Sequence, residues 1–296
     1  MTAAGTEVLH DRVLGWYAAH RRDLPWRRPD RTPWGVLVSE VMLQQTPVAR
    51  VLPVWERWMT AWPTPADLAA QPSGTAVREW GRLGYPRRAL RLHAAATAIR
   101  DEHGGEVPSE EATLRTLPGI GDYTAAAVAA FAFGRRATVV DTNVRRVHAR
   151  AVTGTALPAP SLTRAEVERA TRLLPPDDAE AATWNVAVME LGALVCTARA
   201  PRCGECPVAD RCAWRLAGSP AHDGPARRGQ AWTGTDRQCR GTLLQVLRSA
   251  DGPVPGELLR AAWQQDDLQR DRCLDALVAE GLVEPLAGDR YRLPGT

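Results

Sequence analysis

The sequence predicts a mainly α-helical protein that carries a four-cysteine loop and ends in a small module of three helices and a hairpin. Three observations support this. Apolar residues recur at helical spacing along most of the chain. A tight turn, Leu117-Pro118-Gly119-Ile120-Gly121, separates two such segments. Cys196, Cys203, Cys206 and Cys212 gather in one stretch interleaved with Pro201, Gly204 and Pro207, which favour a compact loop over helix or strand.

At 296 residues the chain is long for one helical domain and sufficient for two or three. It has no apolar run of about 18 residues, and no charged start followed by an apolar core, so a cytoplasmic protein with no membrane partner is expected. The formal charge of +3 does not by itself argue for nucleic acid. The distribution says more: arginines cluster at 21/22, 27/28, 87/88/91 and 145/146/150. Any single pair reads equally well as solvated surface. All 37 basic residues are arginine, and a guanidinium stays protonated and cannot serve as an amine nucleophile.

Val8 to Ala19 has the spacing of a helix, which Asp23-Leu24-Pro25-Trp26-Arg27 breaks. Trp26, on residue type alone, reads as a core aromatic. Thr32-Pro33-Trp34 opens a second helix, along which Glu40 follows Val36 and Leu37 by one turn and precedes Leu43. A carboxyl on an apolar face is unusual and costly to ionise, which suits a group that must hold a proton near neutral pH and then act as a base. The competing reading pairs Glu40 with a buried arginine. Gln44-Gln45-Thr46 end this helix before Pro47. Val51 to Trp62 and Pro65 to Ala70 read as packing helices, with Trp55, Trp58 and Trp62 in the core. Trp80 to Ala89 is a glycine-punctuated turn bearing Tyr85 and several cations. Such a tip either wedges between bases, as apolar and aromatic side chains do in proteins that kink DNA, or is capped by the Tyr.

At the Pro118 turn one helix stops and another starts almost at once, because Gly119 and Gly121 accept backbone angles that other residues resist. The unpaired N–H groups of the new helix face outward there, which is how a backbone binds phosphate without a charged side chain. After a short extended run, Asp141 begins the helix that carries Arg145, Arg146 and Arg150. Next to a positive helix terminus its carboxylate is expected to stay ionised. Two carboxyls in contrasting settings, Glu40 and Asp141, follow the logic of glycoside hydrolysis.

Thr163 to Leu174 and Ala179 to Val195 are again helical, and Glu190 in the second reads on its own as a surface acid. The four cysteines read as metal ligands, since no secretion signal favours disulfides. Zinc and an iron–sulphur cluster both fit four thiolates. Cys239 and Cys273 are expected to be free thiols. Thr242 to Ser249, Pro255 to Trp263 and Leu268 to Ala279 read as helices, followed by a hairpin of Leu282-Val283-Glu284 and Arg290 to Leu293 around Gly288-Asp289. That is a winged-helix pattern.

From about Leu14 to Trp214 the chain resembles the helix-hairpin-helix DNA glycosylases with an iron–sulphur cluster. The hairpin, Asp141 and Cys196-x6-Cys203-x2-Cys206-x5-Cys212 carry the likeness, and Ser39-Glu40-Val41-Met42-Leu43-Gln44-Gln45-Thr46 resembles the MutY-type adenine glycosylases among them. The resemblance implies a two-lobed core: a cluster domain from residues 1–28 and 136–216, a six-helix domain at 29–135, a linker at 217–236 and the terminal module at 237–296. It implies a [4Fe-4S] cluster on the four cysteines, and as partner double-stranded DNA with adenine opposite 8-oxoguanine or guanine, bound by a monomer. The implied catalytic residues are Glu40, Asp141, Tyr123 and Asn143. Arg22, Trp26, Arg27 and Glu190 would hold the base; Gln44, Gln45, Thr46 and Tyr85 would enter the duplex; Gly119, Gly121 and Arg145 would meet the DNA backbone.

The chain departs from the family in three places. Pro86 replaces a second Tyr at the wedge. Position 123, where strand-cleaving relatives have the Lys that forms a Schiff base, is Tyr, and with no Lys in the chain only the N-terminal amine could form an imine. Residues 237–296 are too few for the family's larger C-terminal domain, which recognises 8-oxoguanine. A pyrimidine glycosylase of the endonuclease III group, and a non-catalytic DNA-binding iron–sulphur protein, are the alternatives; the missing Lys opposes the first, and the joint presence of Glu40 and Asp141 opposes the second.

Overall fold

The computed structural model describes residues 3–222, 224 and 232–296. Residues 223 and 225–231, within the expected linker, lie outside the described residues. The chain groups into two compact units, one of residues 1–37, 109–116 and 120–225 and the other of residues 38–108, 117–119 and 226–296.

The first unit begins with α1 (Ala3–His20) and the start of α2 (Pro33–Leu43), and adds α7 (Glu111–Leu114), α8 (Asp122–Phe133), α9 (Thr142–His148), α10 (Arg164–Arg172), α11 (Asp178–Leu194) and α12 (Ala213–Leu216). Its core is made by Leu9, Val13 and Trp16 of α1 packing with Val144 and Val147 of α9 and with Trp184, Val188 and Leu191 of α11. Each such side chain, fully buried, contributes about 1.5–3 kcal/mol of transfer free energy. Trp184 also meets the ring of His10 edge-on at 4.7 Å, and His10 Nε2 is 2.8 Å from the Leu173 carbonyl. Helix α8 is buried at every residue from Thr124 to Ala130, and its run of alanines is what allows a helix to be enclosed on all sides. It ends at Gly134, whose φ of +68° closes the helix in the left-handed conformation. Beyond α9 the chain turns through one wide π-type turn, Ala149–Thr153.

The second unit contains the end of α2, then α3 (Val48–Ala61), α4 (Pro65–Ala69), α5 (Ser73–Trp80) and α6 (Arg87–Glu102), and the terminal module. Thr64 and Asp67 form a reciprocal capping box that starts α4. Trp58 and Trp62 are buried edge-to-face at 4.8 Å, as expected of core residues, while Trp55 is half-buried. Helices α5 and α6 were not anticipated, although Leu92, Ala95, Ala96 and Ile99 of α6 are buried at helical spacing.

The terminal module consists of α13 (Asp236–Arg248), α14 (Gly256–Ala262) and α15 (Asp267–Ala279), with an antiparallel sheet of β1 (Val254–Pro255), β2 (Glu284–Leu286) and β3 (Arg290–Arg292) in the order β1-β3-β2. Register pairs Val254 and Pro285 with Tyr291 from either side. The β2–β3 turn uses two left-handed residues, Gly288 and Asp289. The winged-helix architecture is thus present, with a short third strand that the sequence reading lacked and with β2 starting where the expected strand Leu282-Val283-Glu284 ends. The module does not stand alone. Arg248 donates to the Val77 carbonyl at 3.0 Å, Arg78 to the Ala250 carbonyl at 3.0 Å, and the Gly74 N–H to the Pro294 carbonyl at 2.8 Å. A Cβ on Gly74 would lie 2.6 Å from that same oxygen, so this approach requires glycine. Cys239 and Cys273 are both buried, free thiols.

Candidate active site and cluster loop

The residues singled out in the sequence fall in both units, and each set is built by its own unit. In the first, Asp141 caps α9. One carboxylate oxygen accepts from the Val144 N–H at 2.7 Å and the other from Asn143 Nδ2 at 2.7 Å. The capping arrangement forms because the extended residues before Asp141 deliver it in the non-helical conformation that an N-cap needs. Burial pushes the Asp141 carboxyl above its ordinary value, against the pull of the Val144 and Asn143 hydrogen bonds and the Arg146 charge. The helix terminus alone predicts the opposite direction. Desolvation is the stronger influence at this half-buried site.

Asn143 is itself held. Its Oδ1 accepts from Arg146 Nη2 at 2.7 Å, and the same guanidinium donates to the carbonyls of Gly192 at 2.7 Å and Cys196 at 2.6 Å. A continuous chain of hydrogen bonds therefore runs from the Asp141 carboxylate to the backbone of the first cluster cysteine. Arg146 gave no sign of this in the sequence beyond lying three residues after Asn143 on the same helix face. Tyr123 sits in the first turn of α8, half-buried.

Glu190 is fully buried, so the reading of a surface acid is overturned. Its Oε1 accepts from the Arg22 N–H at 3.0 Å and Arg22 Nε at 2.8 Å; its Oε2 lies 2.6 Å from Arg22 Nη2 and 2.9 Å from Arg27 Nη1. Burial opposes ionisation of Glu190, but the Arg22 hydrogen bonds and the Arg27 charge outweigh it and hold the carboxyl down at about 2. Trp26, buried between those two arginines in the sequence, occupies the one-turn segment Pro25–Arg27.

Arg145 is not placed as a phosphate contact requires. Its guanidinium grips Glu166 at 3.1 and 2.9 Å and donates to the carbonyls of Ala159 and Ser161, and only 9% of the side chain is exposed. A helix-surface arginine beside a long loop is drawn inward by the loop's unsatisfied carbonyls. At the hairpin, Gly119 has φ +78° and packs so close that a Cβ would lie 2.6 Å from Arg91 Cβ, whereas Gly121 is exposed with open space around it. The Gly121 carbonyl accepts from the Ala125 N–H at 2.9 Å as α8 begins.

In the second unit Glu40 is 5% exposed on α2, on a helix whose Val36, Leu37 and Val41 are buried with it. The segment that follows is shaped by Arg88, which the sequence shows only as one of a cluster of cations. Arg88 Nη1 donates to the carbonyls of Val41, Met42 and Gln44, and Nη2 to Thr46 Oγ1 and the Gly84 carbonyl. Five acceptors, three of them at the C-terminal end of α2, converge on one fork of donors. Burial pulls the Arg88 guanidinium down to about 10. Thr46 is buried by this arrangement, and Gln45 is exposed at φ +55°, a conformation an L-residue rarely adopts. Tyr85 is 56% exposed, with Arg88 lying 5.5 Å from its ring centre.

The cluster loop hangs from the end of α11. Cys196, Cys203, Cys206 and Cys212 are all free thiols of intermediate exposure. Burial raises the Cys206 thiol to about 11, and the charges of the other three cysteines push in the same direction, which places all four in one neighbourhood. Four thiolates can hold either the corners of a [4Fe-4S] cluster or a single zinc ion. Arg150 braces the loop: it donates to the carbonyls of Thr197 at 2.7 Å and Ala198 at 3.1 Å, and lies 4.9 Å from the Trp214 ring centre.

Residues 38–172 match the HhH-GPD superfamily of base excision DNA repair proteins, and residues 196–212 match the iron–sulphur binding domain of endonuclease III. Adenine DNA glycosylase from Mycobacterium tuberculosis is 55% identical over 96% of this chain and 92% of its own length. That of Mycolicibacterium smegmatis is 54% identical over 96% and 95%. Among solved structures, a thermostable thymine-DNA glycosylase aligns with a TM-score of 0.64 at 28% identity over 72% of this chain and 97% of its own. Endonuclease III in a trapped DNA complex aligns with a TM-score of 0.62 at 26% identity over 74% and 100%. The two solved structures cover about three quarters of the chain, and the two mycobacterial adenine enzymes nearly all of it. The chain therefore belongs to the adenine DNA glycosylases of base excision repair, with a [4Fe-4S] cluster on its cysteine loop.

Proposed function

We propose that this glycosylase, acting as a monomer on cytoplasmic DNA, removes adenine paired with 8-oxoguanine or guanine and leaves an abasic site without cutting the strand. The observation that carries the reading is Asp141, a carboxylate fixed by Asn143 and the first turn of α9 yet pushed upward by burial. A carboxyl so held is poised to gain from a nearby cation. An N-glycosidic bond breaking toward an oxocarbenium ion supplies one.

Adenine is first rotated out of the duplex, at a cost of a few kcal/mol that a mispair lowers. Glu40 donates a proton to N7, making the base a neutral leaving group. As the C1'–N9 bond lengthens, electrons follow it to the base, and Asp141 stabilises or captures the sugar cation. Glu40, now ionised, takes a proton from the water that attacks C1', returning the enzyme to its starting state. Asn143 holds the Asp141 oxygens in place and Tyr123 hydrogen-bonds beside the sugar. Glu190, Arg22, Arg27 and Trp26 form the wall that receives the base. Gln44, Gln45, Thr46 and Tyr85 fill the gap it leaves, and the Gly119 and Gly121 backbone meets phosphate. The cluster pins the loop of the four cysteines and supplies no step of the hydrolysis.

The test is a duplex with one adenine opposite 8-oxoguanine, incubated with enzyme and then treated with alkali to cut abasic sites. Wild-type protein is expected to yield product only after alkali. Glu40→Gln is expected to bind the duplex and yield none; normal turnover by that variant overturns the assignment.

A further inference from the structure

Two loops of the second unit, Gln44-Gln45-Thr46 and Gly81 to Tyr85, are tied together by one side chain. Arg88 Nη1 donates to the Val41, Met42 and Gln44 carbonyls at 2.7, 3.1 and 2.8 Å, and Nη2 donates to Thr46 Oγ1 and the Gly84 carbonyl, each at 3.1 Å. Its Nε makes no hydrogen bond. All five acceptors are neutral oxygens, and burying a guanidinium against neutral oxygens alone is costly. Capping α2 does not account for that cost. The Val41, Met42 and Gln44 carbonyls belong to the end of the helix, but Thr46 and Gly84 lie beyond it.

The backbone shows what the two outer bonds do. Gln45 and Tyr85 have φ of +55° and +47°, a left-handed conformation that an L-residue keeps only where its surroundings over-determine it. Arg88 holds the carbonyl immediately before each of them, Gln44 and Gly84. The φ angle sets how a residue turns against the peptide group that precedes it. One planar fork gripping both peptide groups therefore fixes Gln45 and Tyr85 relative to each other. Further bonds tighten the joint: Trp80 Nε1 donates to the Gly84 carbonyl at 2.9 Å, Thr46 Oγ1 to the Leu83 carbonyl at 3.2 Å, and Arg50 to the Arg82 carbonyl. The Trp80 and Tyr85 ring centres lie 5.1 and 5.5 Å from the guanidinium. Gln45 and Tyr85 are exposed while Arg88 is buried, so the fork acts only through the two side chains it sets.

We infer that Arg88 is a positioning residue for selection of the base opposite adenine: its fork joins Gln45 and Tyr85 into one preformed reader, so that neither loop selects that base independently of the other. The inference rests on the reading above, in which Gln45 and Tyr85 enter the duplex where adenine has left. A reader already assembled meets the partner base without ordering either loop, which spares affinity for discrimination. Positive charge at position 88 is not enough. A lysine ammonium is a point charge with three donors, and it cannot span the Gln44 and Gly84 carbonyls as two nitrogens of one plane do.

The experiment measures the affinity of the intact protein for a duplex carrying 2′-fluoro-adenosine, whose glycosidic bond resists cleavage, opposite either 8-oxoguanine or thymine. Wild-type protein is expected to prefer 8-oxoguanine. Arg88→Lys keeps the charge and loses the fork; it is expected to lower that preference about tenfold, the scale of one lost base contact, with its affinity for the thymine duplex unchanged. Gln45→Ala and Tyr85→Ala are then each made in the wild-type and Arg88→Lys proteins. Each should reduce the preference in wild type and add little in Arg88→Lys, whereas an arginine that only stabilises the fold gives additive losses. Should Arg88→Lys melt below the assay temperature, Thr46→Val, which withdraws one of the five acceptors, is read against Tyr85→Ala on the other loop with the same two outcomes. Additive losses, or a full preference in Arg88→Lys, overturn the inference. A wild-type protein indifferent to the partner base defeats the reading of function and the inference with it, whereas a wild-type preference with additive losses defeats only the role of Arg88.

Discussion

Arg146 joins Cys196 to Asn143 through one guanidinium, donating to the cysteine's carbonyl at 2.6 Å and to the amide oxygen at 2.7 Å. The anchor of the cluster loop and the residue that steadies Asp141 are thus set by the same side chain. Burial pulls the Arg146 guanidinium down, against the charges of Cys196 and Asp141. Removing it strands the buried Gly192 carbonyl and the part-buried Cys196 carbonyl and Asn143 amide oxygen. Each hydrogen bond of a charged group is worth about 1.5–3 kcal/mol.

Arg146→Leu is expected to lose both iron and excision, read as the visible absorbance of the cluster and as single-turnover adenine release. Asn143→Ala separates the two effects. It removes the amide that holds Asp141 and leaves Arg146 its Gly192 and Cys196 carbonyls. The expected result is a normal iron content with slowed excision. Full activity in Asn143→Ala would show that Asn143 does not matter to the sugar.

Glu190 predicts a pH dependence of stability. Its folded value of about 2 lies below the 4.5 of the unfolded chain. The stabilisation is therefore complete above pH ~4.5 and drains away as pH falls toward 2, by about 3 kcal/mol in all. Glu190→Gln leaves Arg22 and Arg27 facing a neutral amide and is expected to cost about 3–5 kcal/mol at neutral pH. Urea midpoints measured from pH 7 to pH 3 check both: the variant's curve should start lower and lose less on acidification.

His148 acts in the same direction by the opposite chemistry. It is buried, and burial pulls its imidazole from 6.5 down to about 4, with Arg169 adding to the effect. The unfolded chain takes up the proton first, so stability falls as pH drops from about 6.5 to 4, by up to about 3 kcal/mol. His148→Leu should flatten the stability profile within that window. An unchanged slope there would mean that His148 is protonated in the folded protein.

How much of this was legible in the sequence depended on the range of the interaction concerned. Hairpin, cap and cysteine loop are local: the turn at Gly119 leads into α8, although α7 already ends at Leu114, before Pro118; Asp141 caps α9, and the cysteine spacing is contained in 17 residues, from Cys196 to Cys212. Partners across the chain were not legible. Nothing near Glu190 in sequence announces Arg22, 168 residues away. Nothing near Arg88 announces the C-terminal end of α2, and Arg145 reads as a free cation until the loop that holds Ala159 and Ser161 is folded against it. Helix α6 was missed although its buried Leu92, Ala95, Ala96 and Ile99 are periodic, because its arginines and the preceding glycines read as a loop.

The two hairpin glycines are predicted to differ. Gly119 has φ +78° and no room for a methyl against Arg91, so Gly119→Ala is expected to destabilise the fold by about 1–3 kcal/mol, seen as a lower melting temperature. Gly121 has ordinary backbone angles and open space, so Gly121→Ala should melt as wild type. If the backbone there meets phosphate, the same substitution weakens duplex binding by holding the strand off. Equal affinity in Gly121→Ala would place the phosphate elsewhere.

Tyr123 separates hydrolysis from strand cleavage. An enzyme that cuts the backbone through an imine needs a primary amine that can lose its proton and attack C1', and no Lys exists in this chain to do so. Borohydride added during turnover reduces such an imine to a stable amine and so links protein to DNA covalently. The wild-type protein is expected to give no linked species while still releasing adenine. Tyr123→Lys puts an amine in the first turn of α8, one residue after the exposed Asp122 and 18 positions before Asp141 in the chain. If Tyr123 stands beside the sugar, the variant gains a borohydride-trapped complex and some strand cleavage without alkali, even if its excision is slower. Trapping by wild-type protein would show that its chemistry passes through an amine after all. A Tyr123→Lys variant that folds, binds and traps nothing would put position 123 out of reach of C1' and confine Tyr123 to packing.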